Sequence, residues 1–204
     1  MSNILIVPGL HGSGPDHWQT WFESRLPGSR RVLQEDWSDP HLPRWAGSVR
    51  HAINIASGPV WLIAHSFGCL ATAHAARDFP GKVAGLMFVA PADPDKFGVT
   101  EMLPTEEFAC PSVMVASTND PWMRLTRTAY WADIWGSRFI SLGTAGHINA
   151  DSGYGPWADG IEIFEQLRSA SAGQPLGSMT PTEQRELPPQ RRRRLLNGIK
   201  AARS

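Results

Sequence analysis

The sequence predicts an α/β fold, in which about six mostly parallel strands form one sheet with helices on both faces. Short apolar runs alternate with stretches of helical spacing from residue 4 to residue 167, and this alternation is typical of β-α-β units. The apolar runs are continuous, as expected of parallel strands buried on both sides. A chain of 204 residues with 42% hydrophobic residues can bury one sizeable core. We therefore expect one main domain with its functional residues at the carboxyl ends of the strands.

The first half of the chain begins with a β-rich apolar run at residues 4–7, which ends in the Gly-rich loop 8–15. A helix is predicted to begin near Asp16, because large apolar residues then recur every three or four positions. These residues are Trp18, Trp21, Phe22 and Leu26. The next predicted elements are a strand at 32–33, a loop at 35–43, a helix at 44–56 and a strand at 60–64.

The second half continues the same alternation. Helical spacing with a glycine near its start predicts a helix after residue 66, and a long loop with several aspartates follows the next strand. The predicted elements are a helix at 67–79, strands at 83–90, 113–117 and 139–142, and helices at 122–135 and 157–167. No internal repeat is present, so the pattern indicates one sheet rather than an array.

Residues 59–68, Pro-Val-Trp-Leu-Ile-Ala-His-Ser-Phe-Gly, pass from a predicted strand to a predicted helix with almost no loop. Ser66 lies at the joint. A serine on such a sharp turn has an exposed hydroxyl, and the N–H of the following Phe67 points to the same place. We interpret Ser66 as a nucleophile. The alternative is a serine that only caps the helix, a common role of this residue.

A nucleophilic serine needs a base to take its proton. Residues 64–68 resemble the serine turn of the α/β-hydrolases, in which the acid and then the histidine follow the serine in the chain. Only two histidines follow Ser66, namely His74 and His147. His74 falls two turns into the predicted helix, which should carry it away from the strand ends. His147 lies in a Gly-rich loop after the strand at 139–142, at the edge of the sheet where Ser66 is expected. We therefore predict His147 as the base.

The base needs a carboxylate to orient it. Asp120 follows the strand at 113–117, one strand before the strand that leads to His147. It is the predicted acid, and the alternative is that Asp120 caps a helix started by Pro121. Asp93 and Asp95 also follow a strand and are the second choice.

The predicted oxyanion hole consists of backbone N–H groups, one from Phe67 and one from the loop after the first strand, for which we favour Leu10. The glycine spacing of that loop fits neither a dinucleotide fingerprint nor a phosphate-binding loop. His11 could cap the helix, line the pocket or bond a loop carbonyl. Three tryptophans fall in segments that reach the strand ends and could wall an apolar acyl pocket: Trp37, Trp45 and Trp122.

We expect no metal and no cofactor. The seven histidines form neither H-x-x-x-H nor H-E-x-x-H. The two cysteines, Cys69 and Cys110, cannot form a disulfide framework and lie in no C-x-x-C pair. Their expected role is packing.

Charge separates the body of the chain from its end. Residues 171–204 carry seven Lys or Arg and two Glu, whereas the other 12 basic and 17 acidic residues lie in residues 1–170. A mildly acidic body argues against nucleic-acid binding. We divide the chain into a domain at 1–168 and a basic tail at 169–204, rich in Pro and Arg. The tail is either a mobile or loosely docked extension or a basic segment that contacts an acidic surface, which could belong to a partner, a membrane or the body of this protein.

No run approaches the roughly 18 apolar residues that a membrane helix needs. The amino end lacks the basic and apolar regions of a signal peptide. We therefore predict a cytoplasmic protein without a transmembrane segment.

Several motifs along the chain resemble those of one family. They are Pro8-Gly9, Gly12-Ser13-Gly14-Pro15, His17-Trp18-Gln19 with Trp21, Ala64-His65-Ser66-Phe67-Gly68, Asn119-Asp120-Pro121 and Gly146-His147. The chain is similar, over about residues 3–168, to the small serine hydrolases typified by retinoblastoma-binding protein 9, a compact branch of the α/β-hydrolases. Residues 64–68 correspond to the nucleophile elbow of the α/β-hydrolases, the G-x-S-x-G turn that carries the serine. Ala64 replaces the first Gly of this motif, which adds one methyl group to a close contact.

The resemblance implies a compact sheet, little or no lid domain, and a triad of Ser66, Asp120 and His147. We expect covalent acyl transfer on small carboxylic esters. An amidase or peptidase would use the same residues, and a non-catalytic binding or scaffold protein could share the fold.

Overall fold

A computed structural model describes residues 3–173 of the chain. The strands of this part form one six-stranded sheet in the order β2-β1-β3-β4-β5-β6, and all neighbouring strands are parallel. They are β1 (Asn3–Val7), β2 (Ser29–Arg31), β3 (Val60–His65), β4 (Val83–Val89), β5 (Ser112–Ala116) and β6 (Arg138–Ser141). The predicted α/β fold with a parallel sheet is confirmed.

Helices cover both faces of the sheet. The α-helices of the described residues are α1 (Trp18–Arg25), α2 (Leu42–Asn54), α3 (Phe67–Ala76), α4 (Leu125–Ile134) and α5 (Ala158–Gly173). In β1, Leu5 and Val7 belong to the core cluster on the side of α2, α3 and α4, whereas Ile4 and Ile6 belong to the cluster on the side of α1 and α5. Since each fully buried aliphatic side chain contributes about 1.5–3 kcal/mol, the two cores stabilise the sheet from both faces.

The strand order reverses direction at β1. The chain runs from β1 outward to β2 and returns on the other side of β1 as β3. In open α/β sheets the crevice at such a reversal is the usual binding site. Here it lies between the loop after β1 and the turn that joins β3 to α3. Glycine makes this approach possible: a Cβ atom on Gly68 would lie 2.6 Å from the carbonyl oxygen of Val7.

Several predicted element boundaries were shifted, and two of the shifts have a clear physical cause. The second strand lies at Ser29–Arg31, not at 32–33. Among residues 3–173, β2 is an edge strand that pairs with β1 alone, so its side chains need not be apolar, and the nearby Leu33 is 70% exposed. Helix α4 begins at Leu125 rather than at residue 122, because the segment before it forms a turn in which the Trp122 N–H donates to the Asp120 carboxylate at 2.8 Å.

Helix α5 continues to Gly173, five residues past the predicted domain boundary at 168. The remainder of the predicted basic tail, residues 174–204, lies outside the described residues, so the division into domain and tail stays a prediction. Among the helices at residues 3–173, none combines the length and the apolar character that crossing a bilayer would require.

Candidate active site

Ser66 occupies the turn between β3 and α3 with a strained backbone. Its φ of 53° and ψ of −125° are unusual for a residue with a side chain. Ser66 holds the N-cap position of α3, yet its hydroxyl makes no capping hydrogen bond. Instead, the hydroxyl is directed at the loop after β6, and the simple capping interpretation does not describe it.

The three residues predicted from chain order meet at this turn. His147 Nε2 lies 2.9 Å from Ser66 Oγ, and His147 Nδ1 lies 3.0 Å from both carboxylate oxygens of Asp120. A carboxylate only accepts hydrogen bonds, so the His147 proton is on Nδ1. The bare Nε2 then accepts the hydrogen bond from the Ser66 hydroxyl. This is the arrangement in which an imidazole can remove the serine proton.

The Asp120 side chain is held in the position where it contacts His147. Its side chain is only 4% exposed, and the Trp122 N–H donates to one of its oxygens. Asp120 does not cap α4, because the N-cap of that helix is Arg124. The carboxylate is therefore oriented by a local turn and by His147.

The other candidate acids and the other candidate base have different partners. Asp95 pairs with Arg127 at 2.8 Å, and Asp93 lies 4.0 Å from the same guanidinium. His74 Nδ1 bonds the carbonyl of Met102 at 2.7 Å, along α3 and away from the strand ends. The structure thus brings together Ser66, Asp120 and His147 and leaves the alternatives elsewhere.

The His147 loop is fixed by side chains from several elements. Its backbone is bent at Ile148, where φ is 48°, and such a bend needs support. Hydrogen bonds from three side chains support this bend. The His147 N–H donates to Ser152 Oγ at 3.1 Å, and Trp18 Nε1 donates to the Ile148 carbonyl at 2.8 Å. The Gly146 N–H donates to Asn119 Oδ1 at 2.8 Å. Since Asn119 precedes Asp120, the last bond ties the base loop to the acid loop.

Two more histidines lie behind His147. The His65 ring is 4.8 Å from the His147 ring and 4.9 Å from the His17 ring. Burial, with the nearby His147 and His17, holds the pKa of His65 well below its usual range. Burial also lowers the pKa of His17 to about 4, with smaller effects from Arg31 and His147. Both rings are therefore neutral at neutral pH.

We expect acid to destabilise the fold through His17. Below its usual pKa of 6.5, His17 gains a proton in the unfolded chain but stays neutral in the folded protein until the pH approaches about 4. The unfolded state then binds more protons, so stability present above pH 6.5 is lost as the pH falls. From about pH 7 to about pH 5 the loss is about 2 kcal/mol.

His17→Asn is the matched variant, because Asn caps helices well but does not titrate. His17 Nδ1 accepts from the Gln19 N–H at the start of α1, and an Asn side-chain oxygen can take over that role. Urea unfolding at several pH values should show this difference. Between about pH 7 and about pH 5, the unfolding free energy of the variant should fall by about 2 kcal/mol less than that of the wild type. Equal pH slopes for the two proteins would contradict the prediction.

The loop after β1 lies against the nucleophile. A Cβ atom added to Gly9 would be 2.7 Å from Ser66 Cβ. The next three residues of the loop, Leu10, His11 and Gly12, each have a backbone N–H. The His11 N–H donates to the Trp37 carbonyl at 2.8 Å, and the Gly12 N–H donates to the Gly9 carbonyl at 3.0 Å. The His11 side chain is exposed. Phe67 is the first residue of α3, where the N–H has no partner within its helix.

The three candidate pocket tryptophans lie in different environments. Trp45 is 1% exposed and packs in the core between Trp37 and Phe67. Trp37 is half-buried and lies beside Gly12 of the loop after β1. Trp122 is 48% exposed, with its ring 6.2 Å from that of His147. Trp37 and Trp122 are thus near the strand ends, whereas Trp45 supports them from inside.

A cleft of about 790 Å³ opens beside the acid loop. Its lining includes Asp93, Asp95, Lys96, Trp122, Arg127 and Tyr130. These side chains are mostly charged or polar, so the space around Trp122 differs from the apolar acyl pocket that the tryptophans predicted.

The supporting residues of the His147 loop were not assigned from the sequence. Asn119 and His65 stand in sequence motifs without an assigned role, Trp18 is assigned only to the buried face of a helix, and Ser152 falls in no predicted element. For His65, the sequence carried one signal of its position. Alternate residues of a strand point to the same face, so His65 lies on the same face as Ile63, the side of α1 and α5.

The parallel sheet, the strained strand-to-helix turn at Ser66 and the aligned Asp120, His147 and Ser66 side chains place the protein among the α/β-hydrolases. A family model described as serine hydrolase matches residues 4–166. The chain belongs to this family, which includes the proteins similar to retinoblastoma-binding protein 9 and YdeN.

Solved structures agree with this assignment. A YdeN-like protein from Pectobacterium atrosepticum is 37% identical, with a TM-score of 0.80 over 84% of this chain and 92% of that one. The ydeN gene product of B. subtilis is 17% identical, with a TM-score of 0.69 over 83% and 100%. Est1E from Butyrivibrio proteoclasticus is 11% identical, with a TM-score of 0.63 over 84% and 88%. The last two show the fold alone. No curated protein matched the sequence.

Proposed function

We propose that the protein hydrolyses small carboxylic esters through a covalent acyl-enzyme, with Ser66 as nucleophile, His147 as general base and acid, and Asp120 as the carboxylate that orients His147. One observation carries the proposal: an unbroken hydrogen-bonded line from the Asp120 carboxylate through both nitrogens of His147 to the Ser66 hydroxyl. Membership of the serine hydrolase family supports it.

The geometry suits a two-step reaction. As Ser66 Oγ attacks the ester carbonyl, its proton moves to His147 Nε2, and the carbonyl oxygen becomes an oxyanion. When the tetrahedral intermediate collapses, His147 gives this proton to the departing alkoxide, and the alcohol leaves. Water then attacks the acyl group and loses a proton to His147, which returns it to Ser66 as the carboxylic acid departs. Asp120 stabilises the imidazolium in both steps.

The proposed oxyanion hole uses the N–H groups of Phe67 and Leu10. Phe67 follows the nucleophile at the start of α3, where the helix dipole also favours negative charge. The contact of Gly9 with Ser66 favours Leu10. His11 and Gly12 are less suitable donors, because their N–H groups already bond backbone carbonyls.

Esters are the proposed substrates because an alcohol leaves an acyl group more readily than an amine does, so ester cleavage asks less of the same residues. An amidase or peptidase would use the same residues. A panel of small esters and the matching amides separates these reactions, and faster turnover of the amides would contradict the ester assignment.

A cytoplasmic location also belongs to the proposal. Cys69 and Cys110 are free thiols in the structure, as is usual for proteins of a reducing compartment. Burial raises the pKa of Cys110 to about 11 and raises the pKa of Cys69 further above its usual range. Both thiols are therefore protonated near neutral pH, consistent with packing roles and with Ser66 as the nucleophile.

Labelling with a fluorophosphonate tests the proposal directly, because the probe reacts with activated serines. The wild-type protein should be labelled at Ser66 and the Ser66→Ala variant should not. Ser112→Ala is the matched control. Ser112 is buried at the amino end of β5, with its hydroxyl 2.7 Å from that of Ser137, and its loss should leave labelling unchanged. A folded wild type without labelling would indicate a binding protein on a hydrolase fold.

A further inference from the structure

His65 is the last residue of β3 and directly precedes Ser66. Its side chain is 5% exposed and lies on the α1 side of the sheet, 6.0 Å from the ring of Trp18. His65 Nε2 is 3.0 Å from the backbone carbonyl oxygen of His147. A carbonyl oxygen only accepts, so His65 Nε2 carries the proton and donates it to this bond.

This hydrogen bond links the proposed nucleophile to the proposed base by a short path. One end belongs to the residue covalently joined to Ser66, and the other end is the backbone of His147, 82 positions along the chain. The other bonds that hold the loop come from α1, from the acid loop and from Ser152. Among these bonds, that of His65 alone comes from the strand that leads to Ser66, so it opposes any shift of His147 relative to the serine.

We propose that His65 is a positioning residue, whose Nε2–H holds the His147 carbonyl and thereby sets the separation between His147 Nε2 and the Ser66 hydroxyl. The inference rests on the function proposed above. Proton transfer depends steeply on such distances, and a misplacement of about 1 Å can lower the rate roughly 100-fold.

A neutral ring suits this role. His65 lies 4.8 Å from the His147 ring, which becomes an imidazolium when it takes the Ser66 proton. A second positive charge at that distance would oppose the transfer. The low pKa of His65, caused mainly by burial, keeps the ring uncharged while it donates. An apolar side chain would avoid charge as well, but it would leave the His147 carbonyl buried without a donor.

Two variants separate the hydrogen bond from simple packing. His65→Met removes the donor and keeps an elongated side chain, whereas the amide nitrogen of His65→Gln can take the place of Nε2. We expect His65→Met to lower kcat for an ester roughly 10- to 100-fold with KM nearly unchanged. His65→Gln should recover most of this loss. The rate of fluorophosphonate labelling at Ser66 should follow kcat.

His74→Met is the matched control. His74 is also buried and also bonds a backbone carbonyl, that of Met102, but it lies along α3 away from the triad. Thermal unfolding of all three variants shows how much each loses in stability. Activity loss in His65→Met well beyond that of an equally destabilised His74→Met supports the inference. Full activity in His65→Met, or equal losses in the Met and Gln variants, would overturn it.

Imidazole nitrogen NMR on the wild-type protein gives a readout that needs no variant. Near neutral pH, His65 should carry its only proton on Nε2, with Nδ1 bare. A proton on Nδ1 alone would overturn the inference even if every variant at this position failed to fold. If the wild type and His65→Met both react with the probe and both turn over the ester normally, only the positioning role is refuted. If the wild type is unreactive, the proposed function itself is refuted.

Discussion

Replacing Ser66 or His147 by Ala should lower ester turnover roughly a million-fold in a fully working triad. Ser66→Ala removes the atom that would form the acyl bond in the proposed reaction, and His147→Ala removes the acceptor that lies 2.9 Å from that atom. Substrate binding should change little, because neither side chain is expected to hold the ground state. Steady-state kinetics with one ester, backed by burst-phase measurements, would show a fall in kcat with KM nearly constant.

The double variant Ser66→Ala/His147→Ala gives a sharper test. Residues that act as one unit show losses that do not add, so the double variant should be about as slow as either single variant. Additive losses would mean that the two side chains act independently. A drop of only a few-fold in Ser66→Ala would show that another group is the nucleophile.

The central strands and the order of elements could be predicted because burial leaves a clear pattern. β3, β4 and β5 are covered on both faces, so nearly every position is apolar. The edge strand β2 gave no such pattern. Its residues Ser29–Arg31 pair through the backbone with β1 while their side chains partly face water. Its hydrogen bonding continues to Val32, whose N–H donates to the Ile6 carbonyl, so the apolar pair at 32–33, on which the prediction rested, directly follows the strand.

The meeting of Ser66, Asp120 and His147 could be predicted from chain order together with the resemblance to the α/β-hydrolases, in which the acid and then the histidine follow the serine. Parallel strands end at one edge of the sheet, so loops after successive strands converge there. The support of the His147 loop could not be predicted in the same way. The partner of His65 is a backbone carbonyl, and that of Trp18 is another; every residue has a carbonyl, so the sequence does not show which one will be paired.

Asp120→Asn should lower kcat about 10⁴-fold while leaving the fold intact. The carboxylate accepts from His147 Nδ1–H with both oxygens at 3.0 Å and thereby keeps Nε2 bare to receive the Ser66 proton. Asp120 also accepts from the Trp122 N–H. In the variant, the amide oxygen can take that bond, which turns the amide NH₂ towards Nδ1. His147 then favours the tautomer with a bare Nδ1 and a protonated Nε2, which cannot accept from serine.

Asp93→Asn is the control for this prediction, since Asp93 was the second choice as acid but faces Arg127 rather than His147. Its kcat should stay within a few-fold of wild type. Nitrogen NMR on His147 adds a readout apart from rate: the proton should be on Nδ1 in the wild type and on Nε2 in Asp120→Asn. If Asp120→Asn kept the Nδ1–H tautomer and nearly full activity, the carboxylate would not be the group that orients the base.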